Sequence, residues 1–440
     1  MTNVTDAQLT SAEVRDIWPL LSIAERMEAF RHIERSEADD LFLCLGAADQ
    51  AWIILALTNG ERRLWMRLLA PDDAADVLQE VAPDERAMLL ELLDGPTRVE
   101  VMALMAYAED AAGGLMSPRF ARLRPEMSVG EAIRYLQRQA KEALETIYYA
   151  YVLDQEQHLR GVVSFRDLFA APGEKSLAEV MHADVISVTD STDQEVVAKI
   201  ISRHGFSALP VVDPAGKMIG IVTIDDIVDV VREAATEDIH KLGGMEALDT
   251  PYMQTGMLSM VKKRAGWLSA LFLGEMLTAS AMGHYQSEIE KAVILALFVP
   301  LIISSGGNAG SQATTLIIRA MALGEVAVKD WWRIVRRELS AGFALGMILA
   351  AIGMLRILAW QGLFGTYGAH YLQVAITVAM SLVGVVTWGT LAGSMLPFVI
   401  RRLGFDPASA SAPFVATLVD VSGLMIYFNV AQVILRGTML

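Results

Sequence analysis

Five apolar runs occupy the C-terminal part of the chain, near 265–283, 291–318, 338–362, 372–400 and 411–435, and each is close to the ~20 residues needed to cross about 30 Å of hydrocarbon. Nothing else in the sequence limits the fold as strongly, because a segment in lipid must satisfy its own backbone hydrogen bonds and so becomes a helix. The loops between the runs alternate in charge. Lys262, Lys263 and Arg264 precede the first; Glu288 and Glu290 follow it; Arg319, Lys329, Arg333, Arg336 and Arg337 come next; 362–371 is uncharged; and Arg401 and Arg402 precede the last. The positive-inside rule then puts the N-terminal part in the cytoplasm and the C-terminus outside, in a multi-pass protein of the cell (inner) membrane.

Three ionisable residues fall inside the runs: Glu275, Arg356 and Asp420. Each costs about 2.5–3.5 kcal/mol at the centre of a helix in lipid, so each needs a partner or water. Arg356 reads as a structural ion pair or snorkelling group. Asp420 reads as a wetted carboxylate, because its run opens with Pro413 and sets Thr417, Ser422 and Gly423 around it. The second run carries Ser304-Ser305-Gly306-Gly307-Asn308-Ala309-Gly310-Ser311-Gln312. Its small residues suit close helix contacts, while Asn308 and Gln312 share a helical face and offer carbonyls to a cation or its water shell.

The remaining 264 residues are of a different kind. The chain has 36 Lys and Arg against 52 Asp and Glu; from Ala265 onward there are 10 and 8, which leaves 26 and 44 before it, or +2 after −18. An acidic soluble part does not suit nucleic acid, whose phosphates need clustered basic groups. It suits cations. The lone Cys44 forms no internal disulfide, and 1–30 lack the pattern of a cleaved leader.

Within the soluble part the chain repeats at an offset of 59 residues: Asp154 matches Asp213, Gly161 matches Gly220, Ser164 matches Thr223 and Asp167 matches Asp226. Each unit reads as strand, turn, strand and helix. Gly-Val-Val-Ser-Phe-Arg-Asp-Leu and Gly-Ile-Val-Thr-Ile-Asp-Asp-Ile together resemble a tandem pair of cystathionine-β-synthase (CBS) domains. That resemblance implies a regulatory α/β module, often with a bound adenine nucleotide such as ATP, in which Asp167 and Asp226 accept ribose hydroxyls and Ser164 and Thr223 lie near phosphates. A helix N-cap with an acidic first turn explains the same four residues.

Residues 10–110 read as short helices restarting at Pro71, Pro83 and Pro96, a small superhelical domain. After the repeat, Asp226, Asp229, Glu233 and Glu237 line one side of a helix, with Asp225 and Asp238 beside them. Such a stripe is either a solvated face or a place where a divalent cation offsets repulsion. The expected division is a helical N-terminal domain over 1–115, the CBS pair over 116–232, a connecting (plug) helix over 233–262 and a five-helix transmembrane pore domain over 263–440.

Tyr107 to Met116, Ala235 to Gly243, Gly306 to Gln312 and Pro413 to Asp420 follow one another in an order that resembles the MgtE family of magnesium transporters over nearly the whole chain. The resemblance implies a homodimeric Mg²⁺ channel closed by cytoplasmic Mg²⁺. It implies Asp420 and Asn308 as pore residues. It further implies regulatory metal ligands at Asp226, Asp229, Glu237 and Asp238, at Asp193 and Glu195 in the second CBS unit, and at Asp40, Asp72 and Asp76 in the helical domain. A CBS-regulated transporter of another divalent cation, such as Co²⁺ or Mn²⁺, is the alternative.

An intramembrane metalloprotease needs a His-Glu-x-x-His helix, and an ATP-driven pump a Gly-x-x-x-x-Gly-Lys-Ser/Thr loop; neither pattern occurs. A CBS-bearing chloride channel fits poorly with an acid in the membrane part.

Overall fold

The computed structural model describes residues 10–139, 148–248, 250, 252–253 and 255–439. They form two compact units, Met1–Ala234 and Ala235–Leu440.

The first unit opens with α1 (Ser11–Ile17), α2 (Ile23–His32), α3 (Arg35–Leu43), α4 (Ala47–Ala56), α5 (Asn59–Met66), α6 (Pro71–Gln79), α7 (Pro83–Leu90) and α8 (Gly95–Leu104). The sequence writes these starts explicitly. Thr10, Ser22 and Thr58 form capping boxes with Glu13, Glu25 and Glu61, while Pro71 and Pro83 occupy first turns. Phe42 sets its ring 4.7 Å from Trp65 at a tilt of 49°, and Trp65 meets Phe30 at 5.2 Å, giving the helices a shared aromatic core.

The repeat follows as α9 (Ala112–Leu115), β1 (Arg122–Leu123), α10 (Val129–Gln139), β2 (Tyr149–Leu153), β3 (Leu159–Ser164), α11 (Phe165–Ala170) and α12 (Leu177–Val180). The second copy has β4 (Val188–Thr189), α13 (Gln194–His204), β5 (Ala208–Val212), β6 (Met218–Thr223) and α14 (Ile224–Leu242). Its two sheets have the orders β1-β2-β3 and β4-β5-β6. Both copies pair the same way, parallel and then antiparallel, with an irregularity at Val152/Leu153 in one and at Val211/Val212 in the other. The matched glycines have one purpose. A Cβ on Gly161 would lie 2.6 Å from Met181 Sδ, and one on Gly220 2.7 Å from Met116 Sδ, so each bare strand position seats a methionine.

The second unit contains α15 (Met257–His284), α16 (Gln286–Lys291), α17 (Val299–Ala322), α18 (Trp331–Phe364), α19 (Tyr371–Arg402) and α20 (Ala412–Leu435). Among the described residues four helical stretches are long and apolar enough to cross a membrane, Val293–Ala322, Val328–Phe364, Tyr371–Arg402 and Ala412–Leu435. The expected first span is helical too, within the 28 residues of α15, where Glu275 is the one charge inside the expected run, but it is not among the four.

Glycines set how closely the long helices approach. A Cβ on Gly389 of α19 would overlap the Gly306 carbonyl of α17, and one on Gly393 would overlap the Gly310 carbonyl. The Thr314 hydroxyl lies 2.9 Å from the Gly310 oxygen and 2.8 Å from the Gly393 oxygen, sharing its proton across the same seam. Gly389→Ala should therefore destabilise the helix bundle by about 1–3 kcal/mol. Gly362→Ala, whose Cβ would meet open space, serves as the control. Thermal unfolding of the two variants in detergent checks this, with a lower Tm expected only for the first.

Candidate functional site

Asp420 lies midway along α20, partly buried. Opposite it, α17 presents Gly307, where an added Cβ would sit 3.5 Å from Asp420 Oδ1 and 3.4 Å from the Ala416 Cβ. A Cβ there would make ordinary van der Waals contact, so the glycine keeps only larger side chains away from the carboxylate. Among the described residues Asp420 makes no ion pair. Arg356, the cation that might have neutralised it, lies with Nη1 3.5 Å from the Tyr367 hydroxyl and its guanidinium 5.2 Å from the Trp360 ring. The charge that acts on Asp420 is Glu275 of α15, of like sign. Unpaired acids inside apolar helices are costly and mark ion paths more often than scaffolding.

Asn308 is exposed on α17, one residue beyond Gly307, and its amide nitrogen donates to Ser304 Oγ at 3.4 Å. That bond leaves the amide oxygen free to accept. Gln312 and Thr315 continue the exposed polar face. On α20, Ser422 accepts from Trp388 Nε1 at 2.7 Å, which holds the segment after Asp420 against α19.

A second acidic group is built wholly within the first unit. α6 contributes Asp73 and Asp76, with Glu80 at its end; α14 contributes Asp225, Asp226 and Glu233; Glu109 comes from the segment after α8. Burial, with the charges of Asp73, Asp226, Glu109 and Glu233, pushes the Asp76 carboxyl up to about 7. Burial likewise pushes Asp226 up to about 7, helped by Asp225 and Asp73, even though it accepts bonds from the Thr223 hydroxyl at 2.7 Å and the Thr223 N–H at 3.3 Å. Asp73 and Glu233 are raised by burial and by Asp225 and Asp229 respectively. Sequence reading singled out Asp72, Asp76 and Asp226 but not Asp73, Glu80 or Glu109. The missed signal is the 3-then-4 spacing of Asp73, Asp76 and Glu80 along one side of α6.

The other sequence candidates are dispersed. Asp72 is buried in α6, and Asp40 is exposed on α3. Asp193 caps α13 by accepting from the Glu195 N–H at 2.8 Å, and Glu195 pairs with Lys199 at 3.1 Å. Asp229 pairs with Arg232 at 3.3 Å. Asp238 lies half-buried near the end of α14. In the second unit, Lys241 is 2.6 Å from both Glu237 and Asp406, so it joins the end of α14 to the turn before α20. One further group, Asp154, Glu156 and His158 at the β2–β3 turn, brings ligand atoms within 4.8 Å of one another, but Asp154 is already paired with Arg160 at 2.8 Å.

The nucleotide candidates divide between the repeats. Ser164 and Asp167 border a cavity of about 530 Å³ that also includes Tyr148, Tyr149, Arg166 and His182. They form a capping box at the start of α11, with Ser164 Oγ donating to Asp167 Oδ2 at 2.6 Å, and His182 Nε2 lies 3.4 Å from the same oxygen. Thr223 and Asp226 repeat that cap, but Thr223 is buried and Asp226 belongs to the acidic group.

Three family models match the chain: MgtE intracellular N domain over 9–110, CBS domain over 112–174 and 177–233, and MgtE, divalent cation transporter, over 299–430. The magnesium transporter MgtE of Thermus thermophilus is 40% identical over 96% of this chain and 92% of its own. The Enterococcus faecalis magnesium transporter MgtE is 33% identical over 93% and 96%. A crystal structure of the cytosolic domain of the Mg²⁺ channel MgtE in complex with ATP is 38% identical, with a TM-score of 0.48, and covers 51% of this chain and 91% of that one.

The acidic group carries a pH signature. Because Asp76 and Asp226 hold protons up to about 7 when folded and release them near 3.8 when unfolded, the folded state binds more protons in between. Their contribution to stability therefore falls as pH rises from about 4 to about 7, and stays low above that. In chelator, the full chain should melt lower at about pH 8 than at about pH 6. Mg²⁺ should restore the loss at the higher pH by binding the folded state. Asp76→Asn combined with Asp226→Asn should flatten the pH slope, which a melting series measures directly.

Proposed function

The chain belongs to the MgtE family, and we propose that it is a Mg²⁺ channel, driven by the ion's electrochemical gradient and closed by cytoplasmic Mg²⁺. The observation that carries this reading is Asp420, an acid among apolar helices with no ion pair among the described residues and with a glycine facing it. Mg²⁺ gives up its waters reluctantly and keeps near-octahedral geometry. A carboxylate that grips the water shell avoids the dehydration cost, and the Asn308 amide oxygen can accept from another shell water. The polar face of Ser304, Asn308, Gln312 and Thr315 suits a passage between two copies of the chain, a homodimer. In this reading α15 is a fifth span, the soluble part is cytoplasmic and the C-terminus lies outside.

The acidic group supplies the closing signal. Without a divalent cation, Asp73 and Asp76 of α6 repel Asp225, Asp226 and Glu233 of α14; Mg²⁺ offsets that repulsion and holds the two helices together. At about 4 Å, two carboxylates repel by about 4 kcal/mol at an effective dielectric constant of 20, enough to bias a gate. α14 is one continuous helix from Ile224 to Leu242, so the ordering of its first half is passed along its length to Lys241. Asp229, Glu237 and Asp238 extend the acidic surface, and Asp40, Asp72, Asp193 and Glu195 are outlying members of the regulatory set. The cavity beside Ser164 and Asp167 is the proposed ATP site, with Arg166 available to phosphate.

In liposomes, Asp420→Ala should reduce Mg²⁺ flux to the background of empty vesicles while the protein remains folded; wild-type flux in that variant would refute the pore assignment. Repeating the measurement with Mn²⁺ and Co²⁺ reads selectivity, and equal or faster passage of either would make the other divalent cation the better assignment. For the gate, Asp76→Asn with Asp226→Asn should raise severalfold the Mg²⁺ concentration that closes the channel. An unchanged closing concentration would remove these acids from the sensor.

A further inference from the structure

A cleft of about 360 Å³ lies in the second unit between the end of α14, the start of α15 and the start of α20. α15 contributes Met260, Arg264, Leu268 and Leu271 to it, a spacing of 4, 4 and 3 residues that keeps all four on one helical face. The face changes character along its length, cationic at Arg264 and apolar at Leu268 and Leu271. From Arg264 to Leu271 the helix rises about 10 Å. The opposite wall is tightly built. Gly244, at φ +71°, lies against Trp267 and Pro413, where a Cβ would come 2.6 Å from Trp267 Nε1, and that nitrogen donates to Ser411 Oγ at 3.1 Å.

Among the described residues no carboxylate lines the cleft and no ion pair involves Arg264. His240 accepts at Nδ1 from the Leu248 N–H at 3.5 Å, which puts its ring proton on Nε2 as a second donor. Tyr252, at the edge of the cleft, is exposed, as are Met253, Met257 and Leu258 close to it in sequence. Aromatic, apolar and basic residues mixed in this way are what a chain presents at the level of lipid headgroups.

We propose that this cleft binds an anionic phospholipid, with the phosphodiester on Arg264 and one acyl chain running past Leu268 and Leu271. Charge complementarity selects the anionic class, and the apolar floor selects a lipid over a free phosphate. The site rests on the reading of α15 as a membrane span, and it ties the connecting helix to the composition of the surrounding leaflet.

The test uses the full-length protein in nanodiscs containing equal amounts of phosphatidylglycerol and phosphatidylcholine, followed by mild detergent release and counting of the phospholipid retained by native mass spectrometry. Wild type should retain phosphatidylglycerol severalfold over phosphatidylcholine. Arg264→Gln should abolish the preference, Leu271→Trp should reduce retention by filling the floor, and Lys262→Gln, a charge outside the cleft, should leave both unchanged. Equal loss in Lys262→Gln would mean diffuse surface charge and overturn the proposal, as would an unaltered preference in Arg264→Gln or displacement of the lipid by inorganic phosphate. Retention is read independently of flux. Loss of Mg²⁺ transport in Asp420→Ala with lipid retention intact supports both readings, whereas Mg²⁺ transport undiminished in Asp420→Ala defeats the pore assignment alone.

Discussion

An ionised carboxylate among apolar helices costs several kcal/mol unless water, a cation or a basic side chain reaches it, and the second unit holds one, Asp420, that pairs with no basic side chain among the described residues. Arg356 is directed to Tyr367 and Trp360, and Glu275 adds a charge of the same sign. Glycine at position 307 keeps larger side chains away from the side of Asp420 that faces α17. The close seam between α17 and α19, made by Gly306, Gly310, Gly389 and Gly393, is what holds Gly307 against α20. Packing and ion chemistry are therefore the same problem here: the small residues that let the backbones meet also keep larger side chains away from the acid.

The soluble unit meets the opposite difficulty. Its acids are gathered and half-buried, so that Asp76 and Asp226 remain protonated to about 7. The surrounding fold supports this cluster, with Phe30, Phe42 and Trp65 in the core of the helical domain and Ile227 and Val230 of α14 sharing an apolar cluster with Leu209, Val211 and Val222 of the second sheet. Divalent charge is the natural complement of this arrangement, because one ion offsets two carboxylates at once without adding side-chain entropy. The Lys241 bridge to Glu237 and Asp406 shows a different solution in the second unit, where a protein cation does the neutralising.

Much of this was readable in advance, for identifiable reasons. The 59-residue offset survives in the structure residue for residue, since β2 and β5, and β3 and β6, begin and end at matched positions. Capping boxes and first-turn prolines marked helix starts because they satisfy backbone groups locally. The candidate acids were harder. Asp193 and Glu195 entered through the family resemblance, and only the structure shows that one caps α13 and the other pairs with Lys199. Asp73 and Glu109 looked ordinary, yet they adjoin the buried Asp76.

Local periodicity and end signals alone determined the helices of the soluble part, the repeated strand-turn-strand-helix unit, the apolar C-terminal helices and the face on which each acid lies. Tertiary structure decided which faces meet. α6 is brought to α14, Gly307 to Asp420 and Arg356 to aromatic rings instead of an acid. The physical reason is that spacing along a chain encodes one surface of one element, whereas a charge acquires its environment only when a second surface is packed against it.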